Sequence, residues 1–213
     1  MIKNIIFDLD GTLVDTADDI LKCLKKAYCT IHRFKKVSVN RSYIGPLLPV
    51  MIKNITPDIS EKELKKVIKS YRSLYYNNSF PNTKLFAGVK KLLNKMNRKK
   101  INNFLVTNKS KIPTRKIIKK LKINCFNNII TPDILKSKKL NKTYMISYLI
   151  KKRMLNKNET LLVGDTVSDI TSARQNNIKS MVVLDGYGNK KDILRAKPDY
   201  VIEKIGLLCD IIE

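Results

Sequence analysis

Two carboxylates, Asp8 and Asp10, stand one residue apart near the start of the chain. They follow the apolar run Ile5 to Phe7, which is typical of a buried strand, and they precede a Gly-Thr pair that is typical of a turn. Like charges this close repel each other, and burial away from water strengthens the repulsion. A buried strand that ends in this way therefore indicates that a cation is bound beside the two side chains.

Further polar side chains occur where the later predicted strands end. Thr107 and Asn108 follow one strand, Asp165 follows another, and Asp169 comes four residues after Asp165. Between them, Lys142 stands at the start of a predicted helix. In open parallel α/β folds, ligands bind beyond the carboxyl ends of the strands, so we expect these groups to meet at one edge of a sheet.

These residue types together are typical of a metal-assisted phosphate site. Carboxylates grouped without His or Cys suit a hard cation such as Mg²⁺. A hydroxyl, an amide and a lysine beside them suit a phosphate group. Gly11 allows close approach of the backbone, so its amide and its neighbours could also hold phosphate oxygens. With a free carboxylate present, these features favour phosphoryl transfer by covalent catalysis.

The second half of the chain alternates apolar strands with amphipathic helices, which predicts βαβ units and a parallel sheet. The first strand of the chain belongs with this half. The predicted strands are Lys3 to Phe7, Asn103 to Val106, Phe126 to Ile130, Thr160 to Val163, Ser180 to Leu184 and Asp199 to Glu203.

Helical patterns dominate from Thr16 to about Asn78. Ser60 and Glu63 fit a capping box, and Arg41 to Pro49 is predicted as a loop. We therefore predict an α/β fold, in which a Rossmann-like parallel sheet has helices on both faces and an all-helical cap domain is inserted. The sheet domain would comprise residues 1–15 and 82–213, and the cap domain residues 16–81.

The net charge of +25 invites a nucleic-acid-binding hypothesis. Lys, Asn and Ile are all abundant in the sequence. These three residues share A/T-rich codons, so a genome-wide base bias accounts for them together. Since the lysines are also spread along the chain, we expect a solvated lysine surface and treat nucleic-acid binding as the less favoured interpretation.

Composition also predicts a compartment. No apolar run reaches the roughly 18 residues that cross a bilayer, and the amino terminus lacks the apolar core of a signal peptide. The four cysteines, Cys23, Cys29, Cys125 and Cys209, show no C-x-x-C spacing. We therefore expect free thiols in a reducing cytoplasm and no membrane partner.

The motifs "DLDGT", "TNK" and "GDTVSD", together with Lys142, resemble those of the haloacid dehalogenase superfamily of aspartate-dependent phosphatases. Further stretches, including "IGPLLP", "LFAGVKKLL" and "VVLDGYGNKKDIL", look like the phosphoglycolate phosphatase-like branch. The resemblance extends over nearly the whole chain, and it implies that the helical insertion is the cap domain of that branch.

The resemblance also implies a role for each reacting residue. Asp8 would be the nucleophile that forms an aspartyl-phosphate. Asp10 would protonate the leaving alcohol and then deprotonate the attacking water. Thr107 and the adjacent Asn108 amide would bind the phosphate.

The resemblance also implies one lysine in the site, and the sequence offers more than one residue for it. This lysine would screen charge between the phosphate and Asp8. Relatives often carry Lys-Pro at this motif, which this chain lacks, and the available lysines are Lys136, Lys138, Lys139 and Lys142. We choose Lys142 because it precedes a helix, as in relatives, and we keep Lys138 as the alternative.

A Mg²⁺ site follows from the same resemblance. The Asp8 side chain and the Asp10 backbone carbonyl would be ligands, Asp165 would ligate directly, and Asp169 would ligate directly or through water. In the cap loop, Arg41 would meet a substrate carboxylate.

The expected activity is Mg²⁺-dependent hydrolysis of a small phosphomonoester by a monomer or homodimer. Phosphoglycolate is the leading substrate, and inorganic pyrophosphate, nucleoside monophosphates and sugar phosphates are rivals because specificity would come from the cap. Three other classes are disfavoured. A signalling receiver domain carries its phosphorylated Asp on a later strand, a nucleic-acid-binding protein rests on charge alone, and a pseudo-enzyme would not keep every catalytic position filled.

Overall fold

The computed structural model of this protein describes residues 1–31, 36–134 and 141–211. The alternatives Lys136, Lys138 and Lys139 lie outside the described residues. Within the described ranges the strands are β1 (Asn4–Phe7), β2 (Val14–Asp15), β3 (Lys84–Leu85), β4 (Asn102–Val106), β5 (Asn128–Ile130), β6 (Thr160–Gly164), β7 (Lys179–Val183) and β8 (Tyr200–Ile202). The helices are α1 (Ala17–Tyr28), α2 (Leu48–Ile55), α3 (Glu61–Tyr76), α4 (Val89–Arg98), α5 (Lys111–Leu121), α6 (Lys142–Arg153), α7 (Val167–Gln175), α8 (Lys190–Arg195) and α9 (Leu208–Ile211).

Six strands form one parallel sheet in the order β5-β4-β1-β6-β7-β8. Strand β1 lies inside this sheet, where Ile6 pairs with Phe104 of β4 on one side and with Leu162 of β6 on the other. Parallel neighbours need crossover connections, and helices supply them here. The predicted α/β fold with a Rossmann-like parallel sheet is confirmed.

Helices cover both faces of the sheet. Alternate side chains of each strand point to opposite faces, so each strand packs against helices on both sides. On one face, Ile6 and Leu162 belong to a buried cluster with Met145 of α6. On the other face, Phe7 belongs to a buried cluster that includes Leu92 of α4. Burial on both sides explains why these strands are continuous apolar runs rather than alternating ones.

Helices α1, α2 and α3 form the inserted helical unit, which we call the cap. Their buried side chains, among them Leu24, Ile52 and Val67, belong to one apolar cluster. The hydroxyl of Tyr28 on α1 donates to the carbonyl of Ile52 on α2 at 3.2 Å. An all-helical insertion after the first strand is therefore confirmed.

A short ribbon marks the place where the chain leaves and re-enters the sheet unit. Val14 of β2 pairs with Leu85 of β3, and Asp15 pairs with Lys84, in antiparallel register. Strands of two residues are too short to show a period, so the sequence did not predict them. The ribbon lies beside the predicted domain limits at residues 15 and 82, which stay a prediction.

The prediction of a loop from Arg41 to Pro49 was wrong at its end. Helix α2 begins at Leu48, with Pro49 in its first turn. Proline is tolerated there because the first N–H groups of a helix have no acceptor within it. A turn of 3₁₀ helix also orders Arg41–Tyr43.

Two findings bear on the expected compartment. None of the helices in the described part of the chain has the length and apolar character needed to cross a membrane. Cys23, Cys29, Cys125 and Cys209 are free thiols.

The predicted capping box of α3 is confirmed and supplies a stability test. The Ser60 N–H donates to Glu63 Oε2 at 3.0 Å, and the Glu63 N–H donates to Ser60 Oγ at 3.3 Å. The Ser60→Ala change should lower the free energy of unfolding by about 1 kcal/mol, because the Glu63 N–H loses its acceptor. Thermal unfolding should show a fall in Tm of about 2–4 °C.

Ser73→Ala is the matched control for this test, since Ser73 is an exposed position inside the same helix. Alanine favours the helix interior, so this control should leave the Tm unchanged or raise it. Equal losses in the two variants would show that the capping bonds do not stabilise the protein.

Candidate active site

Three neighbouring strands bring the predicted site residues to one edge of the sheet. Asp8 follows β1, Thr107 follows β4, and Asp165 follows β6. Strands β4 and β6 flank β1, and all three run in the same direction, so their carboxyl ends are adjacent. Residues distant in sequence thereby meet in one site.

Lys142, the first residue of α6, makes two buried ion pairs at this edge. Its Nζ lies 2.8 Å from Asp8 Oδ2 and 2.6 Å from Asp169 Oδ1. Burial opposes the charge on Lys142, but the carboxylates of Asp169 and Asp8 outweigh it and raise the pKa of the ammonium. The structure therefore brings Lys142 to Asp8, where the sequence analysis expected the lysine of the site.

Asp8 combines deep burial with a free oxygen. Burial raises the pKa of Asp8 to about 6, in spite of the nearby Lys142 ammonium. Within the described part of the chain, Asp8 Oδ1 is buried and has no hydrogen-bond partner. A buried carboxylate oxygen without a donor is costly, and it marks an atom that is open to a ligand.

Asp8, Asp165 and Asp169 form a buried carboxylate trio. One oxygen from each of the three lies within 4.8 Å of the others. Burial raises the pKa of Asp165 well above its usual range, and the charges of Asp169 and Asp8 add to this effect. Three carboxylates around one ammonium leave an excess of negative charge, which a hard divalent cation would neutralise.

Gly11 lets the carboxylate of Asp165 pack directly against the backbone of the turn. Gly11 has φ +85°, and a Cβ built on it would lie 2.2 Å from Asp165 Oδ2. The Gly11 N–H donates to the Val14 carbonyl, so this amide is used inside the turn rather than for a phosphate as expected. Asp165 also accepts from Thr12 Oγ1 at 2.9 Å and from the Tyr187 N–H at 2.8 Å, which fixes its orientation.

Asp169 is more fully occupied than its two neighbours. Its Oδ1 faces Lys142, while its Oδ2 accepts from the Thr166 N–H at 3.0 Å and from the Thr166 hydroxyl at 2.7 Å. The carboxylate therefore caps the start of α7 and holds Lys142 at once. Of the two sequence-based alternatives for Asp169, this favours contact with a metal through water.

The side chain of Asp10 lies outside the trio and has partners of its own. Its Oδ1 accepts from Thr16 Oγ1 at 2.5 Å, and its Oδ2 lies 3.0 Å from Lys109 Nζ. Thr16 directly precedes α1, and Lys109 follows β4, so Asp10 is held from both the cap and the sheet edge.

Asp8 and Asp10 line a cavity of about 60 Å³ between the sheet edge and the cap. Its cap wall is mostly apolar and aromatic, with contributions from Ile20, Met51 and Tyr75. For comparison, an engineered cavity of roughly 150 Å³ binds benzene. The space here therefore holds a group of a few atoms, and a larger group would extend through the open side of the cavity.

Thr107 and Asn108 both line this cavity, but their side chains are used differently. Thr107 Oγ1 accepts from the Lys109 N–H at 3.2 Å, which leaves its hydroxyl proton available to a ligand. Asn108 Nδ2 donates to the Gly45 carbonyl at 2.8 Å, so this side chain ties the sheet edge to the cap. The free hydroxyl proton of Thr107 is consistent with its predicted phosphate role, and the role predicted for the Asn108 amide stays a prediction.

Arg41 is not brought to the site. Its guanidinium lies 3.1 Å from Asp18 Oδ1 and 3.8 Å from Asp15 Oδ2, and its side chain is half exposed. Among the described residues of the cap, Arg72 is the cation that lines the cavity. The substrate role predicted for Arg41 stays a prediction, and its ion pairs do not support it.

Sequence reasoning missed two residues of the site. Lys109 stands inside the motif "TNK", and its place three residues after a strand end could have indicated it. The Tyr187 hydroxyl accepts from the Thr16 and Ala17 N–H groups at 2.7 and 3.0 Å and donates to Asp15 Oδ1 at 2.8 Å. It thereby caps the start of α1 from a loop that carried no such signal in sequence.

The carboxylate trio generates a stability prediction. In metal-free protein at pH 8, Asp8→Asn should raise the Tm by several degrees, because it removes one charge from a repelling group. The pKa of Asp8 is raised from 3.8 to about 6, so the folded wild type keeps a proton there that the unfolded chain has released. The stabilisation of the folded wild type by this proton is complete below about pH 4 and is lost as the pH rises through about 6. The increase in Tm caused by Asp8→Asn should therefore be smaller at pH 5 than at pH 8.

Saturating Mg²⁺ should raise the Tm of the wild type and should raise that of Asp8→Asn less. Asp192→Asn is the matched control, since Asp192 lies in α8 with an exposed side chain. A metal-free Asp8→Asn variant that unfolds below the wild type at pH 8 would contradict the repulsion on which this prediction rests.

Comparison with known proteins agrees with this architecture. The sequence model of the haloacid dehalogenase-like hydrolase family matches residues 5–183. A phosphoglycolate phosphatase from Vibrio cholerae is 27% identical, over 99% of this chain and 97% of its own. A predicted phosphoglycolate phosphatase from Haemophilus somnus superposes with a TM-score of 0.87 at 22% identity, covering 100% of this chain and 98% of its own.

A haloacid dehalogenase-like hydrolase from Streptococcus pneumoniae has the same fold, with a TM-score of 0.84 at 23% identity over 100% of this chain and 99% of its own. The family and the enzyme class expected from the motifs are thereby confirmed. Since the family match covers most of its length, the chain belongs to the haloacid dehalogenase-like hydrolases.

Proposed function

We propose that this hydrolase is a Mg²⁺-dependent phosphatase that acts on a small phosphomonoester through an aspartyl-phosphate at Asp8. The observation that carries the proposal is the free, buried Oδ1 of Asp8 beside Lys142 and two further carboxylates. A carboxylate with an unpaired oxygen in a water-poor site is a nucleophile that needs little reorganisation before attack.

In the first step an Asp8 oxygen attacks phosphorus, and the bond from phosphorus to the leaving oxygen breaks. Asp10 gives its proton to that oxygen, so the product leaves as an alcohol. In the second step Asp10 takes a proton from water, which attacks phosphorus and releases phosphate and Asp8. Lys142 and the Thr107 hydroxyl hold the phosphoryl oxygens during both steps.

The carboxylate trio fits Mg²⁺, because it offers only oxygen donors and the single Lys142 ammonium leaves its negative charge in excess. Asp8 and Asp165 would ligate directly, the Asp10 backbone carbonyl would join them, and Asp169 would act through water. When bound, the ion supplies charge neutralisation that lets an anionic phosphate approach anionic Asp8.

Phosphoglycolate is the proposed substrate. The curated relatives carry that name, and the small cavity suits a leaving group of few atoms. Arg72 lines the cavity and could receive a substrate carboxylate, whereas the ammonium of Lys109 is already paired with Asp10. Pyrophosphate stays a rival on size, whereas nucleotides and sugar phosphates, like aryl esters, would extend through the open side of the cavity.

We also propose that residues 16–81 act as the cap domain and that the free thiols belong to a cytoplasmic protein. Nucleic-acid binding remains an alternative that rests on the charge of +25 alone. A receiver domain is disfavoured by the helical insertion, and a pseudo-enzyme is disfavoured because each expected catalytic position is filled.

The proposed mechanism predicts hydrolysis of p-nitrophenyl phosphate in the presence of Mg²⁺. Asp8→Asn should lower kcat by more than about 10³-fold, since the nucleophile is removed. Asp192→Asn should retain wild-type activity. Equal activity of wild type and Asp8→Asn would exclude Asp8 as the nucleophile.

The substrate assignment is tested with phosphoglycolate, pyrophosphate, a nucleoside monophosphate and a hexose phosphate. We expect kcat/KM to be at least about tenfold higher for phosphoglycolate than for the others, because only it matches both the small cavity and the Arg72 guanidinium in its lining. Turnover of phosphoglycolate no better than that of the hexose ester would remove this assignment and leave the phosphatase chemistry intact.

A further inference from the structure

Lys109 joins Asp10 to the cap through a buried side chain. Its side chain is 6% exposed, and its Nζ lies 3.0 Å from Asp10 Oδ2. The same ammonium donates to Tyr75 Oη at 2.9 Å and lies 4.7 Å from the centre of the Tyr75 ring, within reach of cation–π attraction. Lys109 is therefore held between the carboxylate and helix α3.

Asp10 is held at both oxygens as a result. Thr16 occupies Oδ1 and Lys109 occupies Oδ2. A carboxylate that is engaged on both sides keeps one orientation, and a proton-transfer group works only if its orientation matches the reacting oxygen. Of these two partners, Lys109 carries the charge.

The position of Lys109 depends in turn on the cap. The Tyr75 ring stacks on Tyr71 and meets the edge of Phe80, each with ring centres 5.1 Å apart. Tyr75 is itself buried, so its hydroxyl has a fixed place on α3. The ammonium of Lys109 is therefore fixed at a position where it contacts both the Tyr75 hydroxyl and the Asp10 carboxylate.

We propose that Lys109 is a positioning residue for Asp10, and that Tyr75 holds Lys109 from the cap, which couples the orientation of the general acid to the contact between cap and sheet edge. This inference rests on the proposed phosphatase function. It assigns Lys109 a role that differs from that of Lys142. Among the described residues, the ion pairs of Lys142 are with Asp8 and Asp169, and neither of these residues belongs to the cap.

A positioning role of this kind has a chemical signature. An alkoxide is a poor leaving group and needs the proton of Asp10 while its bond to phosphorus breaks. A p-nitrophenolate leaves without a proton. Misplacing Asp10 therefore slows alkyl esters selectively, whereas a general loss of structure slows both kinds of ester alike.

The test compares Lys109→Met with the wild type on phosphoglycolate and on p-nitrophenyl phosphate. Methionine keeps the apolar stem and removes the charge. We expect kcat/KM to fall about 10²-fold for phosphoglycolate and less than about threefold for p-nitrophenyl phosphate. The ratio kcat/KM covers only the steps up to the aspartyl-phosphate, so the later use of Asp10 as a base does not affect it.

Tyr75→Phe is the second variant, because it removes one hydroxyl and keeps the ring packing. It should show the same selectivity with a smaller loss, about two- to tenfold for phosphoglycolate. If Tyr75 acts through Lys109, the double variant should match Lys109→Met alone.

Lys116→Met is the matched control. Lys116 lies on α5 and also bridges to the cap, where its Nζ donates to the Tyr76 carbonyl, but it does not contact Asp10. We expect wild-type kcat/KM on both esters.

The selectivity of Lys109→Met decides the inference. Equal losses on the two esters, or a selective loss in Lys116→Met as well, would overturn it while leaving the phosphatase function in place. A wild type that cleaves p-nitrophenyl phosphate but not phosphoglycolate would also overturn it. No hydrolysis of either ester by the wild type would instead overturn the proposed function itself.

Discussion

The pairing of one buried ammonium with buried carboxylates is the constraint on which the site depends. Lys142 reaches both Asp8 and Asp169, yet Asp165 stands beside them and the negative charge remains in excess. Removing charges from water is costly, and a partial balance leaves free energy that a proton or a further cation can recover. The free oxygen of Asp8 is the clearest sign that the site has room for such a partner.

The parallel sheet brings these charged groups together. Strand β1 sits between β4 and β6, so the residues after the three strands meet without any long loop. The strands are buried on both faces, which makes the sheet edge a rigid support for Asp8 and Asp165. Turn residues complete the support, as Thr12 and the Tyr187 N–H fix the Asp165 carboxylate.

The cap contributes what the sheet edge lacks, namely an enclosed space and contacts that reach the second aspartate. Asn108 donates to Gly45, Lys109 meets Tyr75, and Tyr187 caps the start of α1. Asp8 is thus held by the sheet and by α6, whereas Asp10 is held by both the sheet edge and the cap. Under the proposed mechanism, this division separates the proposed nucleophile, which must be rigid, from the proposed acid, whose task depends on how the substrate is enclosed.

The fold class, the order of strands and helices, the capping box of α3 and the residues after each strand could all be predicted from the sequence. These features depend on apolar periodicity and on residues that are near each other in the chain. The ribbon of β2 and β3 and the true start of α2 could not be predicted, because two-residue strands have no period and proline is common both in loops and in the first turn of a helix. The tertiary structure alone decided that Lys109 belongs to Asp10, that Arg41 is paired with Asp18 and that Asn108 turns to the cap. Contacts between the sheet edge and an inserted unit join residues far apart in sequence, and they depend on how two surfaces pack, which no local pattern records.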